Sequence, residues 1–272
     1  MAQRLIIEAG RSERQYWRDL WRYRELFVFL AWRDLLIRYK QTAVGVAWAL
    51  IRPLLTMLVL TMVGKIGKLP DGGVPYPLFV FCAMLPWQFF STALSESGTS
   101  LVNNANLISK VYFPRLVVPA SSVITSFVDF LISAAFAALM LVWYRFMPPV
   151  NILCLPFFVV LTFAASFGAG LWIAALMVKY RDFRFIVPFL VQFGLYAAPV
   201  LTMTRHVPEK WRLLYSLNPV VGIIDGFRWC VLGGENVIYW PGFFASLGGV
   251  TLLVWSGLWY FRKTERTFAD MI

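Results

Sequence analysis

Six apolar stretches, separated by short polar segments, run along most of this chain. They cover residues 45–63, 77–95, 116–144, 152–178, 185–203 and 237–261. About 20 apolar residues in a helix cross the roughly 30 Å of hydrocarbon in a bilayer. The pattern therefore predicts an all-α polytopic membrane protein with six transmembrane helices.

Residues 207–234 are also apolar, but they are arranged differently. Their longest charge-free run, 213–224, has 12 residues, and Asn218-Pro219 interrupts it. Such a run is too short to cross a bilayer. Irregular backbone at membrane depth survives only against protein or a water-filled cavity. The segment predicts two short re-entrant helices that turn at Asn218 and Pro219.

The N-terminal segment, residues 1–44, carries a different periodicity. On a helical wheel, one face is apolar and aromatic and the opposite face is charged, with Trp17 and Trp21 flanking the apolar side. The apolar face comprises Tyr16, Leu20, Tyr23 and Phe27, and the charged face comprises Arg11, Arg14, Arg18, Arg22 and Glu25. This predicts an amphipathic helix in the membrane interface. Two interpretations remain open: a plain anchor, or a gate that contacts anionic lipid or a diphosphate.

Composition and charge agree with a membrane protein and fix its expected orientation. The chain of 272 residues is 60% hydrophobic, 14% charged and carries a net charge of +11. With the N-terminus inside, the inner segments hold 17 Lys and Arg and the outer segments hold 7. Basic residues collect in cytoplasmic loops, so we expect both termini in the cytoplasm. The domains are then the N-terminal segment 1–44, a six-span domain 45–261 and a tail 262–272.

Several kinds of chemistry are excluded by what the sequence lacks. The single histidine, His206, stands outside any metal-binding motif, so we expect no metal site. Residues 64–68, GKIGK, have the wrong spacing for a phosphate-binding P-loop. No soluble basic module points to nucleic acid. We expect no catalytic residues and no cofactor in this chain, so a partner must supply any energy.

Polar residues inside the spans are candidates for function, because charges there are costly. Arg52 lies in the first span, Glu96 near the end of the second, and Asp129 in the third. Asp129 shares a helical face with Ser122, Ser126 and Ser133. Either Arg52 pairs with Asp129 or Glu96 and holds the bundle together, or the Asp129 stripe faces an aqueous passage.

Four strings together resemble the membrane subunit of ABC-2 type exporters, and most closely the permeases for lipid-linked polysaccharides. They are RYKQTAVGVAWALIRPLL (38–55), NANLISKVYFPRLVVPASSVI (104–124), KYRDFRFIVPFLVQFGLYAAPV (179–200) and LNPVVGIIDGFRWCVLGG (217–234). The resemblance implies a homodimer in the bacterial cytoplasmic membrane with two copies of a cytosolic ATPase subunit, which binds ATP and Mg²⁺. It implies export of a polyprenyl-diphosphate-linked polysaccharide, such as O-antigen, through a channel between the two copies.

The resemblance also assigns roles to segments of this chain. The family's coupling helix corresponds to residues 103–115, with Lys110, Tyr112, Pro114 and Arg115 expected to transmit motion from the ATPase. The gate helix corresponds to 16–30, with Tyr16, Trp17, Arg18, Trp21 and Arg22 expected at the entrance. Arg18 and Arg22 would contact the diphosphate, or alternatively anionic lipid. The outer re-entrant helices correspond to 208–216 and 219–232.

Three other functions remain open from the sequence. An ABC-2 exporter of a small hydrophobic compound would share the same spans. A membrane-embedded transferase acting on lipid-linked sugars would need clustered catalytic groups, but the acids here are dispersed. A passive channel would not require a loop of the coupling type.

Overall fold

The structure is a computed structural model, and it describes residues 13–40, 47–70, 73–234 and 237–268. Arg11, on the predicted charged face, lies outside these residues. The described part of the chain is helical, without β-strands. The helices are α1 Glu13–Arg22, α2 Arg24–Lys40, α3 Ala47–Ile66, α4 Tyr76–Asn103, α5 Ala105–Lys110, α6 Val117–Trp143, α7 Leu155–Lys179, α8 Phe183–Ala197, α9 Glu209–Tyr215, α10 Pro219–Val231 and α11 Trp240–Thr264. Single 3₁₀ turns cover Val150–Cys154, Thr204–His206 and Glu265–Thr267.

Within the described residues, five helices are long and apolar enough to cross a membrane: α3, α4, α6, α7 and α11. They correspond to five of the six predicted spans. The remaining prediction, 185–203, is helical only as far as Ala197, and α8 has 15 residues. Its end has a local cause, because Ala198 precedes Pro199 and takes the extended backbone that a following proline favours. The count of six spans therefore stays a prediction.

Helix α4 lies at the centre of the bundle. It packs against α3, α6, α7, α8 and α10. It has 28 residues and continues beyond the predicted end at Ser95 to Asn103. The polar-looking extension stays helical because Ser97, Ser100 and Leu101 are buried against neighbouring helices. Glu96 therefore lies within a continuous helix.

Helices α7 and α11 pack closely through two glycines. A Cβ atom on Gly257 would lie 2.5 Å from the carbonyl oxygen of Gly168, and one on Gly168 would lie 2.7 Å from the backbone nitrogen of Val254. Such small residues allow two membrane helices to approach backbone to backbone. This contact brings the end of α11, and the tail that follows it, against the bundle.

The N-terminal amphipathic segment forms two helices, α1 and α2, with only Tyr23 between them. The predicted apolar face packs on a cluster that includes Ile108, Leu116 and Phe268. Its members Tyr16, Leu20, Tyr23 and Phe27 are all partly buried there. This face therefore packs against protein, and the position of the helix in the membrane interface stays a prediction. Trp17 and Trp21 are 46% and 71% exposed, so they lie on the exposed side of α1.

Residues 207–234 form the two short helices that the sequence predicts, α9 and α10, separated at Asn218-Pro219. The Asn218 side chain caps α10 by accepting a hydrogen bond from the backbone nitrogen of Val220 at 3.1 Å. Pro219 occupies the first helical position, where no backbone donor is needed. The Asn218-Pro219 break is therefore the capped N-terminus of α10.

The guanidinium group of Arg228 fixes α10 in place, and it is fully buried at 1% exposure. It stacks on the ring of Phe79 at 3.7 Å. It donates to the carbonyl oxygens of Pro199 at 2.5 Å, Val200 at 2.6 Å, Thr202 at 2.8 Å and Phe79 at 3.4 Å. One side chain thus joins α10, the start of α4 and the turn after α8.

We predict that Arg228→Leu destabilises the protein by about 3–5 kcal/mol, because it leaves several buried carbonyl groups unpaired. Thermal unfolding of the detergent-solubilised protein measures the effect. Lys210→Leu, on the exposed surface of α9, is the matched control, with an expected change within about 0.5 kcal/mol. Equal unfolding temperatures for the Arg228 variant and the unmodified protein would contradict this account.

Candidate functional site

A charged cluster inside the bundle, which we name the Arg38 clamp, joins the N-terminal helix to two spans. Arg38, in the last turn of α2, donates to Glu96 of α4 at 2.5 Å and to Asp129 of α6 at 2.5 Å. The Tyr39 hydroxyl also donates to Asp129. Burial raises the pKa of Tyr39 well above its usual value, and the Asp129 charge raises it further. Tyr39 therefore remains a hydrogen-bond donor at any physiological pH.

The clamp corrects the partner expected for the two acids. The sequence suggests Arg52 as the cation for Asp129 or Glu96, but Arg38 bonds both. The reason is the course of α2, which packs along α6 and delivers Arg38 and Tyr39 to the acids. The guanidinium of Arg52 is exposed and forms no hydrogen bond or ion pair with any described residue.

The Arg38 clamp lines a cavity of about 260 Å³ between α2, α3, α4 and α6. Its polar wall comprises Arg38, Tyr39, Arg52, Gln88, Thr92, Glu96, Ser126, Asp129 and Ser133. Three members of the predicted polar stripe, Ser126, Asp129 and Ser133, face this cavity. Ser122 does not line it and donates to the backbone of Val118. Asp129 therefore forms an ion pair, as the first predicted alternative requires, and also faces a polar cavity, as the second requires.

A layer of phenylalanine rings lies against this cavity at the middle of the bundle. Phe89 and Phe130 line the cavity, and their ring centroids are 5.5 Å apart. Phe127 stacks on Phe130 at 5.7 Å. From the opposite side, Phe227 of α10 contacts Phe130 edge to face at 6.2 Å. The ring of Phe130 thus separates the cavity from helix α10.

A second cluster, which we name the tail junction, joins the tail after α11 to the loop before α6. It comprises Tyr16, Arg115, Arg262 and Glu265. The backbone nitrogen of Arg115 donates to the Glu265 carboxylate at 2.7 Å, and its guanidinium donates to the Glu265 carbonyl oxygen. Arg262 lies over the Tyr16 ring at 4.6 Å. Burial raises the pKa of Glu265 above its usual value, although the bond from Arg115 opposes this.

The predicted coupling segment 103–115 contains the short helix α5. Two of its four singled-out residues, Lys110 and Tyr112, are exposed, the latter at 54%. Pro114 is buried, and Arg115 is held in the tail junction. Lys110 and Tyr112 are therefore accessible at the surface, while Pro114 and Arg115 attach the segment to the rest of the protein.

The predicted gate residues divide in a similar way. Trp17, Arg18, Trp21 and Arg22 lie on the exposed side of α1. Tyr16 points inward, with its hydroxyl buried in the tail junction, so it is unsuited to contact a substrate directly. Burial raises the pKa of Tyr16 far above its usual value, and the Glu265 charge adds to this.

Sequence reasoning missed several residues that the structure brings into these clusters. In the sequence, Arg38 and Tyr39 lie in the first of the four family strings, and Glu265 lies in the short tail. Arg33 was also missed, and it donates to Asn104 at the start of α5 at 2.8 Å. The charge of each residue was a usable signal, but its partner lies far away in the sequence.

No catalytic constellation accompanies these clusters. Among the residues that the structure describes, no group of three or more His, Cys, Asp or Glu side chains could hold a metal ion. The acids of the cavity, Glu96 and Asp129, are both bonded to Arg38, and Asp129 also accepts a hydrogen bond from the Tyr39 hydroxyl. The charged side chains in these clusters connect separate helices to one another.

These features define a class: a multi-span helical membrane protein with a polar intramembrane cavity and an exposed loop suited to a partner. Residues 25–232 match the family model described as ABC-2 type transporter. The chain belongs to the ABC-2 type transporter family.

Individual relatives carry more specific names. The chain is 27% identical over 261 residues to the "O-antigen export system permease protein RfbA" of Myxococcus xanthus, covering 94% of this chain and 98% of the relative. It is 26% identical over 258 residues to a protein of the same name from Klebsiella pneumoniae, covering 91% and 95%. A further Klebsiella pneumoniae protein of that name is 24% identical over 258 residues. The similarity therefore extends over nearly the whole length of these proteins.

We predict that Arg38 and Asp129 are energetically coupled by about 1–3 kcal/mol, because they form a short, partly buried ion pair. A double-mutant cycle of Arg38→Gln and Asp129→Asn, measured by thermal unfolding in detergent, tests this. A parallel cycle with Lys40→Gln is the control, since Lys40 is exposed and lies two residues away. Additive effects of the Arg38 and Asp129 substitutions would contradict the clamp.

Proposed function

We propose that this chain is the permease subunit of an ATP-driven exporter that moves a lipid-linked O-antigen polysaccharide across the bacterial cytoplasmic membrane. The observation that carries the proposal is the full-length similarity to three O-antigen export permeases, within a family that matches residues 25–232. The polar cavity and the exposed loop are consistent with it. We favour the permease over a membrane transferase, because both acids of the cavity are bonded to Arg38 and the relatives are named as permeases.

The proposed topology has six spans, with α8 as the fifth, and both termini in the cytoplasm. The tail junction supports it, because α1, the loop before α6 and the tail after α11 meet there. Segments on the same side of a membrane are separated by an even number of crossings. Only three membrane-length helices, α6, α7 and α11, lie between the loop before α6 and the tail, so one further crossing is needed. Helix α8 supplies it: Arg228 joins the turn after α8 to Phe79, at the end of α4 remote from Glu96.

In this topology, α9 and α10 are re-entrant helices on the outer face. Phe227 of α10 contacts Phe130, which lies near the middle of α6. A helix that enters from outside and reaches that depth is buried against protein, as irregular backbone in a membrane must be. We propose that this pair narrows the exit of the passage, next to the phenylalanine layer.

The energy source in this proposal is a separate cytosolic ATPase subunit, which binds ATP and Mg²⁺. Two copies would serve a homodimer of this chain, with the polysaccharide passing between the two permeases. Lys110 and Tyr112 are the proposed contacts for the ATPase, because they are exposed on the loop around α5. Attached membrane lipids would complete the assembly, and nucleic acid has no part in it.

The proposed mechanism transmits motion from that loop to the N-terminal helices. Pro114 and Arg115 connect the loop to the tail junction, and Arg33 connects α2 to Asn104 beside α5. A displacement of the loop therefore moves α1 and α2, which carry Arg18 and Arg22 at the entrance. These arginines would contact the diphosphate of the substrate as it enters from the cytoplasmic leaflet.

We predict that a P-loop ATPase encoded with this permease co-purifies with it in mild detergent. Lys110→Glu combined with Tyr112→Ala should reduce recovery of the ATPase by about tenfold, the effect of losing roughly 1.4 kcal/mol of contact. Lys210→Glu, on α9, is the control and should leave recovery unchanged. Purification of the unmodified permease without any ATPase would contradict the proposed function.

We also predict that Arg18→Gln combined with Arg22→Gln lowers substrate-stimulated ATPase activity of the reconstituted complex several-fold, while basal activity stays unchanged. The physical reason is the loss of two bidentate donors for phosphate oxygens. Reduced membrane association with normal stimulation would show instead that the two arginines bind anionic lipid.

A further inference from the structure

A second cavity, which we name the outer cavity, lies at the end of the bundle where the turn after α8 meets α9 and α10. It has a volume of about 190 Å³. It is lined by Thr204 of that turn, Arg212 of α9, Asp225 of α10 and Tyr239 before α11. Val237 also lines it and is 70% exposed, so the cavity is accessible from the surface. In the proposed topology it lies on the outer face, beside the two helices proposed to narrow the exit.

The hydroxyl group of Thr204 is buried in this cavity without a hydrogen-bond partner. Thr204 is 3% exposed, and its hydroxyl makes no hydrogen bond with any described residue. It lies close to the Asp225 carboxylate, but not in a geometry that forms a hydrogen bond. A buried polar group left unbonded costs about 1–3 kcal/mol. A ligand that bonds this hydroxyl would remove the cost, so the hydroxyl points to a ligand with hydrogen-bonding groups.

The charges of the outer cavity do not select the ligand. Its described lining holds three guanidinium groups, of Arg205, Arg212 and Arg228, and one carboxylate, of Asp225. Arg228 already donates to four backbone carbonyl oxygens. Arg212 donates to the carbonyl oxygens of Arg205 and Val207 and lies over the Tyr239 ring at 5.4 Å. These two arginines hold the walls together, and the choice of ligand rests on hydrogen bonding and shape.

Hydrogen bonding and shape both match a single sugar ring. The cavity is smaller than the roughly 300 Å³ at which sites for drug-sized ligands begin, so it admits one small unit. Asp225 can accept hydrogen bonds from two hydroxyl groups, and the Thr204 hydroxyl can donate and accept. Met203, Ile238 and the Tyr239 ring add apolar wall for the C–H face of a sugar. A phosphate group would offer no donor to Asp225 and no apolar face.

We propose that the outer cavity binds one sugar ring of the exported polysaccharide, with hydroxyl groups on Asp225 and Thr204 and a C–H face against Tyr239. The inference rests on the proposed function, which brings a polysaccharide to this face of the membrane. The site holds the polysaccharide beside α9 and α10 as it leaves the passage. It recognises the sugar part of the substrate and makes no contact with the lipid carrier.

The test measures binding to the full permease–ATPase complex in nanodiscs of zwitterionic lipid. The probe is the lipid-free O-polysaccharide that mild acid releases from the lipopolysaccharide of the bacterium that encodes this chain, titrated by saturation-transfer NMR. Thr204→Val should weaken binding about 3- to 10-fold, the loss of one hydrogen bond, without lowering the unfolding temperature. Asp225→Asn should weaken it about tenfold or more, because it removes a charge-assisted acceptor.

Thr61→Val is the matched control. The Thr61 hydroxyl is also buried without a partner, but it belongs to α3 and does not line the outer cavity. This variant should bind the probe like the unmodified complex. An equal loss in the Thr61 and Thr204 variants would assign the effect to general packing and overturn the proposal.

Three further results would also overturn it. They are a complex that does not bind the probe, equal binding by Thr204→Val and the unmodified complex, and displacement of the probe by inorganic phosphate, which would make the cavity an anion site. The proposed function is tested separately, by deletion of the gene and measurement of O-antigen at the cell surface. Continued export with an inactive outer cavity would leave that function standing.

Discussion

The fold depends on the ionic contact between Arg38 and the acids of two spans. Without it, the half-exposed Glu96 and the partly buried Asp129 would be charged groups with no cation bonded to them, at a cost that is greatest for Asp129. Arg38 belongs to a helix that the hydrophobic pattern places outside the membrane domain. The bonds from Arg38 to the two acids hold α2 along α6. Because α1 directly precedes α2, the position of α2 also determines where α1 lies. Trp17 and Arg18 are consequently presented on the exposed side of α1.

The same N-terminal helix is attached at two further points, and together these attachments form one mechanical unit. Arg33 bonds Asn104 beside α5, and Tyr16 lies in the tail junction under Arg262. The junction also holds Arg115, at the end of the loop that carries the exposed Lys110 and Tyr112. A force on this loop cannot move it alone, since the partly buried hydrogen bonds of Arg115 and Asn104 connect it to the tail and to α2.

The spans could be predicted from the sequence because their signal is local: a continuous apolar run reports burial in lipid without reference to other segments. The start of α10 was equally local, since Asn218 and Pro219 cap a helix by their own chemistry. The partners of the charged residues could not be predicted in this way, because they lie far apart in the sequence. Arg52 and Arg38 are both arginines near Glu96 and Asp129, and only the packing of α2 on α6 decides between them. The end of α8 at Ala197 was masked by the apolar residues that continue to Met203, although Pro199 was a usable sign.

The roles of the two arginines follow from the number of acids available. The cavity holds two carboxylates and two guanidinium groups, and Arg38 bonds both carboxylates, Glu96 and Asp129, directly. Arg52 makes no direct ion pair with the residues that the structure describes, but its charge balances the second carboxylate in the same cavity. Phe89 and Phe130 line the same cavity, and Phe130 also contacts Phe227 of α10. The polar cavity therefore ends against an aromatic layer inside one subunit, which ties the position of α10 to the two helices that carry Glu96 and Asp129.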